Sequence, residues 1–491
     1  AQFSSGAYGD SDFKMLPTKG RLQLDLHVYI KREHKLSSFK LDNVAKHFLN
    51  DQKVDMDYKL LFQKLRENSS TRKEVAEYCI YDSVLPLRLL QKLVIIPNML
   101  EMAKATWVPL GYLVERGQGI KVFSQLTKKA RELGYLVPTF EYGYKDQTGY
   151  EGATVLEAQS GAYYAPITAL DFEGLYPSIM MAHNLCYSTL VLDEKYNNLP
   201  GITYERFGNH TFAQGVPSVL PNILSELKQF RKQAKKDMAN STGIMKDVYN
   251  GKQLAYKISM NSVYGFTGAG KGMLPCVPIA STVTAKGRSM IEETKTYVEK
   301  HFEGAKVRYG DTDSVMVEFD TSGMTPEQAL EHSWKLGEQA AKECTALFKK
   351  PNDLELEKVY YPYFLYSKKR YAAKLWTRGK DGKMQMDYID VKGLQVVRRD
   401  NTPHVREVCT ELLDIILESK NPDGAINLAK QRATELLTGQ VPIEKLILSQ
   451  KLADSYKSEN MAHVQVRNKM RDREPGSEPQ SGDRVQYVLV D

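Results

Sequence analysis

The run KVRYGDTDSVMVEF, residues 306–319, places Asp311 and Asp313 one residue apart, and the pair recurs as Asp10 and Asp12 in AYGDSDFKML, residues 7–16. Carboxylates at i and i+2 of an extended chain share a side, about 6 to 7 Å apart. Like charges that close are unfavourable unless a cation neutralises them, so the pair points to a divalent metal. The frames of the two copies differ. Val307 and Tyr309 alternate before Asp311, and Val315, Val317 and Phe319 after Asp313, which predicts a β-hairpin with the carboxylates at its bend. Asp10 and Asp12 stand among Ser, Gly and Pro, which predicts a flexible surface loop. Metal-assisted phosphoryl transfer also needs a carboxylate from another element. Asp171 supplies it, closing the apolar run APITAL immediately before the turn FEGLYPS.

Cations for a chelated triphosphate come from two predicted helices. Arg231 and Lys235 lie at i and i+4 of ILSELKQFRKQAKKDM, while Lys257, Asn261 and Tyr264 lie at i, i+4 and i+7 of QLAYKISMNSVY. Faces that meet over Asp171 and Asp313 would give a nucleotidyl transferase its positive charge and its positioning groups. Helical lysines by themselves are usually a solvated face, as are the clusters Lys228–Lys236 and SKKRYAAK at 367–374. Only their company with the carboxylates gives them weight. The run GFTGAGKG, 265–272, mimics a phosphate-binding P-loop, but Gly272 stands where Ser or Thr must hold Mg²⁺, and a helix precedes it where a strand is needed. It reads as a glycine-rich turn.

Around these residues, 491 positions leave room for roughly three domains. Sixty-seven Lys and Arg against 60 Asp and Glu give a net charge of +7, a weak argument for an anionic partner. Five scattered cysteines form no C-x-x-C pair, so neither zinc nor disulfides are suggested and small core residues are expected. No apolar run approaches the ~18 residues of a membrane span. Residues 21–103 read as mixed α and β, ending in a helix over 72–93 with Val75, Ala76, Cys79 and Ile80 on one stripe. The segment to about 161 reads as a loop-carrying connector, and a strand-turn-helix unit follows, its helix opening after Pro177. Ile223, Leu224, Leu227, Phe230 and Ala234 form the apolar stripe of the first basic helix; after a turn at 240–243 a second runs over roughly 253–264. Beyond Gly393 the pattern is mostly helical and charged.

Assembled, these motifs resemble family B DNA polymerases, in the branch that holds the delta enzymes and their relatives in large DNA viruses. DFEGLYPSIMMAHNLCYSTL (171–190) is similar to motif A, QLAYKISMNSVYGFTG (253–268) to motif B and YGDTDSVMV (309–317) to motif C. YEGA (150–153) resembles the connector between exonuclease and polymerase, and KKRY (368–371) and KGLQVVRRD (392–400) the segments that hold primer-template DNA.

The resemblance implies an α+β right-hand fold of palm, fingers and thumb, preceded by the C-terminal part of a ribonuclease H-like 3′–5′ exonuclease domain. The expected parts are exonuclease 1–103, connector 104–162, palm 163–220 and 267–395, fingers 221–266 and a truncated thumb 396–491. It implies two Mg²⁺ on Asp171 and Asp313, with Asp311 nearby and the Phe172 carbonyl as a further ligand. Arg231, Lys235, Lys257, Asn261 and Leu175 would hold the deoxynucleoside triphosphate, Tyr176 would be the steric gate against ribose, and Tyr264 would flank the nascent pair. Lys368, Lys369, Arg370, Tyr371, Lys392 and Gly393 would face DNA, and Glu357 aligns with an acidic position near the metals. Gly174 stands where the family has Ser or Ala, and it is expected to loosen the turn. Tyr78 and Asp82 resemble the third exonuclease motif; the first two are not in the chain, so no proofreading is expected. The implied activity is template-directed DNA synthesis in replication, in the nucleus or at a viral replication site, with a sliding clamp and accessory subunits as partners; the alternative is a nucleic-acid-binding fragment without turnover.

Overall fold

A computed structural model of the chain describes all residues apart from 1, 6–8, 13–17, 19, 35, 37, 53–55, 57, 139–148, 271, 380, 454, 457, 459, 477 and 491, and for 2–5, 9–12, 58 and 59 the backbone only. Lys271 of the P-loop-like run thus lies outside the described residues. The chain divides into two units, one of residues 1–137 with 225–262, the other of residues 138–224 with 263–491.

The first unit opens on an antiparallel pair, β1 (Gln2–Ser5) and β2 (Gly9–Asp12). Asp10 and Asp12 therefore lie on a strand, not in the expected loop, because backbone pairing decides the conformation and Ser and Gly do not oppose it. Between Leu26 and Thr106 the described elements are all helical, where a mixture was expected: α1 (Leu26–Glu33), α2 (Leu41–Leu49), α3 (Tyr58–Glu67), α4 (Ser69–Lys92) and α5 (Ile95–Thr106). Leu22, Leu24, Leu26, Val28 and Ile30 alternate like a strand, but the Asp25 carboxylate accepts the His27 N–H and starts a helix there. Asn68 and Thr71 start α4 with a capping box. Its buried residues are Val75, Leu85 and Leu89, while Ala76, Cys79 and Ile80 of the expected stripe are exposed, so Cys79 is no core residue. Two more helices, α6 (Leu110–Glu115) and α7 (Gln118–Glu132), replace the first part of the expected connector; Val122, Leu126 and Ala130 recur every fourth residue on the buried face of α7.

The second unit begins with β3 (Gly161–Tyr163), β4 (Ile167–Phe172), α8 (Leu175–Ala182) and the hairpin β5 (Thr203–Phe207) and β6 (His210–Gln214). In chain order two long helices follow, α9 (Val219–Ala239) and α10 (Gly243–Gly268), whose residues 225–262 belong to the first unit; the second starts ten residues before its expected position. The chain continues through α11 (Val277–His301), β7 (Lys306–Asp311), β8 (Ser314–Glu318), α12 (Pro326–Thr345), β9 (Leu354–Ser367), β10 (Arg370–Arg378) and β11 (Met384–Lys392). These strands make one antiparallel sheet in the order β11-β10-β9-β4-β8-β7, with β3 also on β9. In the central β4 every residue but Asp171 is buried. Thr168 donates to the Ser333 carbonyl of α12, whereas Ile167 and Ala169 pack with Tyr309, Tyr360 and Tyr363 on the other face. Alternation then puts Asp171 on that second face, at the end of a strand that is otherwise core.

After the sheet come α13 (Pro403–Leu417), α14 (Pro422–Leu437), β12 (Leu448–Lys451), α15 (Ala462–Arg473) and β13 (Arg484–Tyr487). Leu413 and Leu417 seat α13 on Ala372 and Leu394, and Val464 of α15 packs on Leu452 and Val485 beside the β12–β13 pair. Within the first unit, the basic helices rest on α7. Lys129 pairs with Glu226 at 2.7 Å, and Ser259 donates to Gln125 at 2.8 Å in a buried contact. Phe230 leaves its expected place in the stripe; half exposed, its ring meets that of Tyr256 at 5.7 Å and joins α9 to α10. Among the described residues, no helix is long and apolar enough to cross a membrane.

Candidate active site

β7 and β8 form the expected hairpin, and Thr312 and Asp313 make its turn. Thr312 takes a left-handed φ of 59°, and the Asp313 N–H donates back to the Asp311 carbonyl at 2.6 Å. The two aspartates therefore stand on either side of a reversal and do not line one side of an extended strand as the spacing suggested. Their environments differ accordingly. Asp311 accepts both contacts of the Lys369 ammonium, at 2.6 and 2.7 Å, and hydroxyl contacts from Thr312 and Tyr309. Asp313 is tied by its backbone to the neighbouring strand, where Phe172 N–H donates to its carbonyl at 2.9 Å and Asp171 lies opposite Ser314.

Asp171 at the end of β4 and Asp313 in the adjoining hairpin turn thus come to one place. Burial first, then the charges of Asp313 and Glu357, push the Asp171 carboxyl from 3.8 to about 7. Burial likewise raises Asp313, with Asp311 and Glu357 adding to it. Glu357 reaches both because β9 bulges there: Leu170 faces Leu356 and Ala169 faces Lys358, leaving Glu357 as the extra residue. Two half-buried carboxylates whose burial and acidic neighbours favour the neutral form are stabilised by a cation between them. Hard oxygen donors suit Mg²⁺, which usually takes one or two carboxylates and completes its shell with water and substrate phosphates. Among the described residues, no group of three or more His, Cys, Asp or Glu side chains is placed to hold a metal ion by itself.

The residues after Asp171 build a second wall. Gly174 caps α8 with a φ of 57°, a left-handed conformation that suits glycine, so this residue fixes the turn where it was expected to loosen it. The helix starts at Leu175, two residues before Pro177. The Tyr176 ring lies 4.5 Å from that of Tyr264 and packs over Gly287 of α11. Its hydroxyl is raised by burial and then by the charge of Asp313, which places it beside the carboxylates. Tyr264 is held in turn by a 3.1 Å hydroxyl contact with Tyr150, a residue that sequence reasoning assigned only to a connector. The connector is part of the wall: Leu156, Gln159 and Thr154 hydrogen-bond along β7, and Thr284 and Arg288 of α11 donate to the Glu151 carbonyl. No local signal marks such a strand-edge partner.

Lys368 and Lys369 form the β9–β10 turn, with Lys369 at a φ of 62°. Lys368 pairs with Glu157 at 2.5 Å, and Arg370 lies over the Tyr366 ring. Tyr371 belongs to a cluster of rings with Tyr309, Tyr360 and Tyr363, so its ring packs inside the sheet. Lys392 closes β11 and Gly393 follows with a φ of 61°. An open cleft lined by Asp311, Asp313, Lys369 and Tyr371 joins this group to the hairpin.

Arg231, Lys235, Lys257 and Asn261 belong to the first unit. Arg231 and Lys235 are one turn apart on α9, as are Lys257 and Asn261 on α10; Lys235, Lys257 and Asn261 are exposed. The buried Nε of Arg231 has no hydrogen-bond partner among the described residues. Tyr78 and Asp82 sit one turn apart on α4.

The sheet thus brings one carboxylate from a central strand and one from a hairpin turn beside the paired rings of Tyr176 and Tyr264. Residues 108–491 match DNA polymerase family B, and the chain belongs to that family. Within it, the chain is similar to the DNA polymerase delta catalytic subunits: 44% identical to that of Candida albicans over 100% of this chain and 47% of the relative. The Glycine max protein of that name is 43% identical over 99% of this chain and 45% of its own, and the Drosophila melanogaster protein 44% over 96% and 44%. The chain thus spans about half the length of the curated relatives it matches.

Proposed function

We propose that this chain carries the polymerase centre of a replicative DNA polymerase: a primer 3′-hydroxyl attacks the α-phosphate of a deoxynucleoside triphosphate, and pyrophosphate leaves. The observation that carries this reading is the convergence of Asp171 and Asp313, both raised by burial and by acidic neighbours, with the Asp313 charge acting on Asp171. In it, residues 163–220 and 267–395 act as palm, 221–266 as fingers and 396–491 as thumb. Asp171, Asp313 and the carbonyl of Phe172 would hold two Mg²⁺, which when bound polarise the attacking and leaving oxygens. Asp311, neutralised by Lys369, orders the turn that presents Asp313.

The backbone N–H of Leu175 at the start of α8 is read as a phosphate-binding group of the second unit, and Arg231, Lys235, Lys257 and Asn261 as phosphate-binding groups of the first; positive charge stabilises a pyrophosphate as it forms. Tyr176, packed against Tyr264, lies under the sugar so that a 2′-hydroxyl clashes, and Tyr264 flanks the new base pair. Lys368, Lys369, Arg370, Lys392 and Gly393 hold the duplex, and Tyr371 supports them from within the sheet. Nuclear or viral replication, a sliding clamp and accessory subunits belong to the same proposal.

Primer extension by this chain on a primed template with Mg²⁺ tests it, alongside salt-dependent DNA binding. Extension that Asp171→Asn abolishes while binding persists supports the reading. Binding by the wild-type chain without extension would leave a nucleic-acid-binding module.

A further inference from the structure

Lys392 ends an edge strand and is more than half exposed, a setting in which a lysine side chain ordinarily samples many rotamers in water. Its ammonium is instead held 2.8 Å from Asp390, two residues earlier on the same side of β11 and only 4% exposed. Burying a carboxylate is unfavourable unless it is both paired and hydrogen-bonded. Asp390 is both, because the fully buried Tyr360 hydroxyl donates to its other oxygen at 2.7 Å. Burial pulls this carboxyl up, but Lys392 and Tyr360 outweigh it and hold it below the ordinary range.

The same core fixes the neighbouring cation. Tyr360 stacks on Tyr363 at 5.4 Å and meets Tyr371 edge-on at 5.9 Å; Tyr371 lies opposite Lys392 in the β10–β11 register. Tyr371 also meets Tyr309, whose hydroxyl accepts the Lys369 N–H at 2.8 Å. Beyond Lys392, the Lys369 carbonyl lies 2.2 Å from where a Gly393 Cβ would stand, so only glycine lets the two turns touch. Lys369 and Lys392 are thereby set by one buried network.

We propose that Asp390 is a positioning residue for duplex DNA: it holds the Lys392 ammonium in one place beside the Lys369 turn, ready for a backbone phosphate. This rests on the reading of Lys392 as a DNA contact. The sign of the effect makes it testable. A carboxylate near DNA repels phosphate, so its neutralisation alone would tighten binding; a lost anchor weakens it.

The experiment measures binding of a labelled primer-template duplex to the full chain by anisotropy, without divalent metal and over a range of salt. Asp390→Asn is expected to bind about 3- to 10-fold more weakly although it loses a negative charge. Lys392→Met weakens binding too and lowers the salt slope by about 0.9, one phosphate's worth. The double variant is no weaker than Lys392→Met alone, because Asp390 acts through Lys392. Binding by Asp390→Asn as tight as wild type, or a further loss in the double variant, overturns the proposal. Should Asp390→Asn fail to fold, Tyr360→Phe keeps both charges and removes only the hydroxyl; about 2-fold weaker binding is expected, and unchanged affinity overturns it. Loss of primer extension in the wild type would sink the polymerase reading and leave the coupling between Asp390 and Lys392 standing.

Discussion

Replacing Asp171 by Asn should stabilise the metal-free protein while removing its activity. The carboxyl stands at about 7 in place of 3.8. At about 1.4 kcal/mol per tenfold, its ionisation opposes folding by up to about 4 kcal/mol, and solvent screening at a half-buried position brings this to about 1 to 2. The folded state binds this proton more tightly than the unfolded chain, so the cost is absent below about pH 4 and grows as the pH rises to about 7. Asn keeps the shape without the charge. Urea unfolding in EDTA should therefore show Asp171→Asn more stable than wild type by about 1 to 2 kcal/mol at pH 8, with less than half of that at pH 5. Added Mg²⁺ at pH 8 should stabilise the wild type and leave the variant unchanged. A variant no more stable than wild type at pH 8, or an increment independent of pH, would refute the argument that burial and Asp313 charge raise this group.

From the proposed role of Tyr176 as the gate against ribose, Tyr176→Ala should raise the ratio of ribonucleotide to deoxynucleotide kcat/KM by at least about tenfold; an unchanged ratio removes Tyr176 from the gate. Gly174→Ala meets no neighbouring atom but places a Cβ on a left-handed backbone, so a loss of about 1 kcal/mol in urea unfolding is expected, and no loss would contradict the turn geometry. Lys369→Met removes an exposed ammonium and leaves the partly buried Asp311 without its ion pair; a decrease in stability of up to about 1 kcal/mol, read from the denaturation midpoint, is expected, and an increase would show the pair to be unfavourable.

Local patterning accounts for much of what was legible. The β7–β8 hairpin follows from alternation around Asp311 and Asp313, and the helices α9 and α10 from apolar spacing and the turn between them. Patterning misled where two periods coexist or where the partner is distant. Leu22 to Ile30 alternate like a strand, yet the cap at Asp25 starts a helix from Leu26 on. Ile80 and Cys79 share a helical stripe but lie outside the packed face of α4, because which face is buried is decided by what the helix packs against. Phe230 is displaced from its stripe for the same reason.

The sequence by itself determined the candidate residues: the aspartates at 171, 311 and 313, the tyrosine at 176, the basic helices and the family to which they belong. It could do so because these groups sit in short motifs whose order and spacing are local. Only the tertiary structure decided that Asp311 is neutralised by Lys369, 58 residues away, while burial and the charge of Asp313 raise Asp171. It alone joined Tyr150 to Tyr264 and buried Asp390 under Tyr360 to hold Lys392. Such contacts depend on strand order and on a bulge at Glu357, and electrostatic and hydrogen-bond energies follow distance in space, not separation along the chain.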